Sequence, residues 1–386
     1  MKKIVLTSGT FLVFAYLFIN GLFVYKYGAR IGAPAFHLVP AYVLFAAGLC
    51  VILRKMPESI FGRSVFAAVV VLFVLVSVLL FRIKPQAVLN VDRYEMIRLF
   101  WDNALSGKNP YLPRHENTNI PGPFPFYFLL AFPFYWTGEI GIFSLAGFLL
   151  FAALLFSSRT CLKNKTAALL LLTASPAFVY EIICRSTVFL NAALVLCWMV
   201  WVERSTPGTA SKKFCAGLLL GCLLSTRSVA WFMFAPFLAV LYRNRRGWFE
   251  GGRFSAGAFL AVLVIFLPFF FFNSFRHGVN PFRVQESLVP AVVTVPIWAA
   301  FFLASHRIRS FRRFLIAEAF FTFFLLSAYM GGKIAHYGWN SAVYQHRADI
   351  SYWLFVFPFL IHAFFIADDD PAGEGARVNP SFKRMG

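Results

Sequence analysis

Three charged residues open the longest polar stretch of the chain. They are Asp92, Arg93 and Glu95, within residues 89–127, which read LNVDRYEMIRLFWDNALSGKNPYLPRHENTNIPGPFPFY. Asp92 follows an apolar run, so it is expected close to a membrane surface. Partial burial there raises a carboxylate pKa, and the neighbouring Arg93 lowers it. Such a carboxylate can take a proton from an acceptor hydroxyl. The same spacing suits a plain helix start, with Asp92 as N-cap and Glu95 completing a capping box three residues on. Spacing alone leaves both readings open. Tyr94, Asn109 and Tyr111, with Glu95, are the neighbours that would support an acceptor or the loop itself.

Cationic residues form a second constellation. Arg185 lies between two apolar runs in EIICRSTVFLN, and Arg227 lies at the tip of a broken run, residues 213–242. A guanidinium within the membrane costs about 3 kcal/mol unless it is paired or faces water, so each is a functional candidate. Arg283, Lys333 and Arg347 lie in later polar segments, with Gln285, His346 and Asp349 beside them as polar support. Cations that converge from several segments suit a phosphate or pyrophosphate. Ordinary pairing is the alternative: Arg185 with Glu181 at helical spacing, and Arg347 with Asp349 or Glu286. Glu318, inside an apolar run, fits either a proton path or a helix-packing hydrogen bond.

The elements that must position these groups are set by composition. Of 386 residues, 60% are hydrophobic, 13% are charged and 50 are Phe. A soluble chain cannot cover its surface with so few polar groups. Repeated apolar runs of about 20 residues match a hydrocarbon core of roughly 30 Å. The expectation is an all-α, polytopic transmembrane bundle. Spans are expected near 4–25, 35–53, 64–82, 139–158, 166–182, 186–203, 254–272, 288–304, 313–330 and 350–367. Residues 124–137 are short and broken by Pro125 and Pro133, as in an interfacial or dipping helix. The 213–242 run is expected to enter and return, each arm being only about 20 Å of helix.

The formal net charge of +20 raises the question of nucleic acid, but orientation accounts for it. Lys and Arg accumulate in cytoplasmic loops, and clusters such as Arg243/Arg245/Arg246 and Arg307/Arg309/Arg312/Arg313 alternate with the spans. The outcome is about twelve segments with both termini cytoplasmic, in one domain over 1–366. A long outer loop, 83–138, follows the third span, and a disordered cytoplasmic tail occupies 367–386. The outer face then carries that loop, a turn at 181–186, and the segments 273–288 and 331–351. Trp and Tyr near span ends fit interfacial belts. The six cysteines are scattered, with no CxxC pair, and read as small hydrophobes. The first segment resembles a signal peptide in its basic start, but its apolar region is too long and 25–27 make a poor cleavage site, so it reads as a retained span.

No GxxxxGK[ST], HExxH or GxSxG motif is present. Asp92, the GKNPY of residues 107–111 and the GPFPFYFLLAFPF of 122–134 together resemble the GT-C superfamily, multi-spanning glycosyltransferases that use polyprenyl-phosphate sugars. The stretch KKFCAGLLLGCLLSTRSVAWFMFAPFLAVL resembles the small-residue helix and basic turn of such enzymes. The resemblance implies an inverting, mannosyltransferase-like hexosyl transfer for a cell-envelope glycan. Asp92 would act as base on the acceptor hydroxyl, and Arg185, Arg227, Arg283, Lys333 and Arg347 would be the candidates that hold the leaving phosphate. Partners would be a polyprenyl-phosphate-linked sugar, a lipid or glycan acceptor and membrane lipids, with no nucleic acid. The expected location is a bacterial plasma membrane. No cofactor is called for, and a divalent metal is an open option with no motif behind it. A transporter or flippase for a lipid-linked or anionic substrate is the alternative.

Overall fold

The computed structural model describes residues 2–28, 34–86, 89, 93–113, 121–271, 282, 291–345 and 348–365. Among them the chain is helical throughout, with no strand. In order the helices are α1 (Lys2–Gly28), α2 (Ala35–Lys55), α3 (Arg63–Ile83), α4 (Arg93–Leu105), α5 (Pro125–Trp136), α6 (Gly141–Ser157), α7 (Leu162–Thr173) and α8 (Pro176–Ile183). Then come α9 (Val188–Arg204), α10 (Ala210–Leu224), α11 (Ser228–Asn244), α12 (Arg253–Phe271), α13 (Ala291–Ser305), α14 (Phe311–Val343) and α15 (Phe357–Phe365). A 3-10 turn, Ile350–Phe355, precedes the last.

Four helices are long and apolar enough to cross a membrane: Gly9–Gly28, Phe36–Lys55, Arg63–Ile83 and Phe311–Val343. The number rises to six if each of two bent pairs is one span. The chain is therefore read as an integral membrane protein. The outer helices show why. Within α2 and α3 only 11% and 17% of the most apolar window is buried by protein, against 44% in α1. Leu44, Leu72 and Leu79 stand more than half exposed, and such a face is stable only against hydrocarbon.

α9 is the central post. Almost every residue from Val188 to Val202 is buried, packed between α6, α11 and α15. Against α9, α10 and α12 cross in backbone contact. A Cβ added at Gly217 would fall 1.9 Å from the Phe254 carbonyl oxygen, and one at Gly221 would fall 2.3 Å from that of Ala258. Small residues four apart on a membrane helix allow this approach.

Two expectations change. The run at 166–182 is not one straight helix but α7 and α8, bent by 63°. Pro176 has no N–H to continue the ladder and starts α8, where the Ser175 hydroxyl accepts from Phe178 N. The bend is sealed from α1: the Tyr16 hydroxyl donates to the Leu171 carbonyl (2.7 Å), and Asn20 Oδ1 accepts from Ser175 (2.6 Å). The segment from Gly331, read as an outer loop, continues as helix to Val343 with one non-helical residue, Gly338. Up to the kink at Gly338, α14 is about 40 Å long and overshoots the hydrocarbon core. The 124–137 stretch forms a short helix, α5, set at 114° to α6.

Candidate functional site

The polar stretch folds as α4, a turn and α5. α4 is closed by Gly107, whose φ of 69° places it in the left-handed region, and Lys108 N donates to the Asn103 carbonyl. Asn109 Oδ1 then accepts from Tyr111 N (3.0 Å). The buried Tyr111 ring packs on Phe100, Phe128 and Phe269, and its hydroxyl donates to the Pro123 carbonyl (3.1 Å). Asn109 and Tyr111 thus hold the turn against α5. Tyr94 is buried in the same aromatic cluster, and Glu95 is exposed.

α5 starts on the break between α10 and α11. Phe124 N donates to the Thr226 carbonyl (2.8 Å) and Phe126 N to that of Ser225 (3.0 Å). These bonds satisfy carbonyls that the ended α10 cannot. The next residue, Arg227, lays its guanidinium over the Tyr127 ring at 5.1 Å, and its buried Nε has no hydrogen-bond partner. The Tyr127 hydroxyl bonds Thr187 Oγ1 at 2.7 Å. The Pro-rich run and the broken run, far apart in sequence, meet at Arg227.

Thr187 is the N-cap residue of α9, but with its hydroxyl committed to Tyr127 it makes no side-chain cap. The cap comes instead from Glu181, whose Oε1 accepts from Phe189 N (3.0 Å). A carboxylate at a helix N-terminus is favoured by the free N–H groups and the dipole. Its other oxygen lies 3.6 Å from Arg93 Nη1. Arg93 Nη2 bonds Asp349 Oδ2 (2.5 Å) and donates to the Ser351 hydroxyl. Asp349 caps the 3-10 turn through Ser351 N (3.0 Å). One guanidinium therefore joins α4, the α8–α9 corner and the 3-10 turn. Glu181 is buried, and Asp349 and Arg93 are half-buried. Three of the four expected outer segments meet here. From the fourth, 273–288, only Phe282 is described, and its ring packs on Phe124 at 4.9 Å.

Burial alone would raise the Asp349 carboxyl, but the Arg93 guanidinium, with hydrogen bonds from Ser351, holds it below its ordinary value. Its contribution to stability is complete above the unfolded-state pKa of about 3.9 and lost as pH falls through the lower folded-state value. Asp349→Asn is expected to melt below the wild type at pH 7, with the gap closing under pH 4. Thermal unfolding in detergent across pH checks this, and a gap constant from pH 7 to pH 2 would exclude it.

Arg185 has a different place from the one expected. It ends α8 with φ 51°, the only described non-glycine residue with positive φ. Beyond the helix end, i,i+4 spacing no longer brings it to Glu181. Its guanidinium is fully buried instead. It donates to the carbonyls of Ile183 (2.8 Å) and Phe81 (3.2 Å), reaches Glu139 Oε1 at 3.4 Å, and lies 4.8 Å over the Phe81 ring. A cation at these free carbonyls is favourable, and Arg185 fastens α3, α6 and α8 together. Lys333 lies between Tyr329 and Tyr337 on α14, 5.7 Å from each ring. Glu318 is buried and accepts from Thr322 (2.9 Å). Asp92, Arg283, Gln285, His346 and Arg347 lie outside the described residues.

Sequence sets Arg93 beside Asp92 and offers Glu181 to Arg185 but does not join the two, and it does not single out Tyr127 or Thr187. The available signal was Glu181, a carboxylate between two apolar runs. Among the described residues, no group of three or more His, Cys, Asp or Glu side chains is arranged to hold a metal. Comparisons with protein-family models, curated proteins and solved structures each find no match.

Proposed function

We propose that the chain is a membrane glycosyltransferase of the GT-C kind, moving a sugar from a polyprenyl-phosphate donor to an acceptor hydroxyl on the non-cytoplasmic face. One observation carries this reading: a cavity of about 520 Å³, lined almost wholly by apolar groups, runs from Phe124 to Ser228. These are the head of the Pro-rich run and the residue after Arg227. Trp231, Phe282, Trp298 and Leu325 are among the other lining residues. A hydrocarbon chain suits such a cavity between membrane helices, and Arg227, which precedes the lining residue Ser228 in the chain, is the cation we assign to the attached phosphate.

On this reading Asp92 takes the proton of the acceptor hydroxyl as its oxygen attacks the anomeric carbon. The bond from that carbon to the phosphate oxygen breaks, and polyprenyl phosphate leaves with inversion. Arg227 holds the phosphate, with Arg283, Lys333 and Arg347 as further candidates, while Arg185 keeps its structural bonds. On the same reading about twelve segments cross or dip into the membrane, with both termini cytoplasmic. Asp92→Asn in proteoliposomes supplied with labelled polyprenyl-phosphate sugars is expected to lower transfer by about 10²–10⁴-fold, with folding and insertion unchanged. Full activity in that variant would sink the mechanism.

The bent pairs α5/α6 and α7/α8 favour a second reading, a transporter, since discontinuous helices line transport sites. Equilibration of a lipid-linked substrate across proteoliposomes without donor consumption would decide for it.

A further inference from the structure

We infer that Arg93 is a positioning residue for the reaction, acting through a three-way ionic junction with Glu181 and Asp349. The inference rests on the glycosyltransferase reading. Each acid in the junction is anchored independently, since Glu181 caps α9 through Phe189 N and Asp349 caps the 3-10 turn through Ser351 N. Both are thereby fixed before Arg93 is considered. Arg93 is the first residue of α4. Holding its fork against two anchored carboxylates fixes where α4 starts, and Asp92 is the residue before it in the chain.

The residue type supports this. A guanidinium presents two terminal nitrogens in a rigid plane, and here each meets a different acid, Nη1 facing Glu181 and Nη2 facing Asp349. A lysine has one compact charge and cannot bridge them in the same way. Other groups of these segments are already committed. The Tyr127 hydroxyl is bonded to Thr187, and Asp102, further along α4, accepts from Tyr135 at 2.7 Å on the exposed side. Of the charged side chains of α4, Arg93 is the one that reaches the α8–α9 corner. A misplacement of about 1 Å in a catalytic group costs on the order of 100-fold in rate, so a junction at one remove from the chemistry acts on kcat.

The experiment uses the full chain in nanodiscs, with the exposed Cys161 and Cys215 replaced by Ser. Spin labels at the exposed positions 98 and 345 report the distance from α4 to the approach of the 3-10 turn, and sugar transfer is measured in parallel. Arg93→Met is expected to broaden or shift that distance and to lower kcat on the order of 100-fold with KM for the donor little changed. Arg93→Lys should restore part of both. Asp349→Asn, which removes only the half-exposed partner, serves should Arg93→Met fail to fold, and should give a smaller broadening. An unchanged distance with unchanged kcat in a folded Arg93→Met or Asp349→Asn overturns the inference. So does a loss of activity that appears only in KM. A wild type that transfers no sugar refutes the glycosyltransferase reading, and with it the positioning role of Arg93 in the reaction. The distance then decides the junction alone.

Discussion

Glu181→Ala is expected to be the most damaging change at the junction, lowering stability by about 3–5 kcal/mol. Two losses combine. Arg93 keeps only its half-exposed partner, Asp349, and so becomes an under-compensated, half-buried charge. Phe189 N, at the start of the central helix, loses its acceptor, and a buried unsatisfied donor costs about 1–3 kcal/mol. Thr187 cannot take over without releasing Tyr127. Glu181→Gln separates the two effects, because the amide oxygen can still accept from Phe189 while the charge is gone. Thermal unfolding of the purified protein should rank wild type above Gln and Gln above Ala. Equal melting of Gln and Ala would assign the whole effect to the charge, and no loss in either would remove the junction from the stability account.

The second large effect is expected where α10 crosses α12. Gly217→Ala adds one carbon 1.9 Å from a backbone oxygen, and no side-chain rotation can relieve a contact between main chains. The helices must part by more than 1 Å. Over-packing of this kind costs about 1–3 kcal/mol, toward the upper end when backbone must move. The adjacent Ala216 carbonyl would also be pulled from Trp198 Nε1, now at 3.1 Å. α10 ends at the Ser225–Thr226 carbonyls that receive the start of α5, so the strain reaches Phe124 in the cavity wall. Melting temperature and donor KM, measured together, are expected to change in Gly217→Ala. Gly48→Ala on the lipid-facing α2, where an added carbon meets nothing, is the control.

Much of the helical plan was legible because apolar length is a strong signal. α1, α2 and α3 lie where the runs predict them, and the interruption at 225–228 separates α10 from α11. Breaks were harder. Ser175–Pro176 carries the N-cap and first-position signature of a new helix, yet the apolar run continues across it and masks the 63° bend. At Gly331–Gly332 the error ran the other way. Two glycines cost a helix only about 1 kcal/mol each, and α14 carries on through them. For the site, periodicity offered Glu181 to Arg185 as one of two readings. One residue in the left-handed well, Arg185 itself, turns the chain so that the two part. Glu181 then meets Arg93, a pairing across 88 positions that no local rule reaches.

α2 and α3 lend themselves to one more consequence. Their broad faces meet hydrocarbon rather than protein. At its C-terminal end α2 is tied to α7 by Lys163, which donates to the carbonyls of Arg54 (2.9 Å) and Met56 (2.7 Å). For these two helices the annular lipid is a structural subunit in its own right. Extraction into a short-chain detergent removes that subunit, and the first thing to be lost on solubilisation is the seating of α2 and α3, while the post of α9 stands.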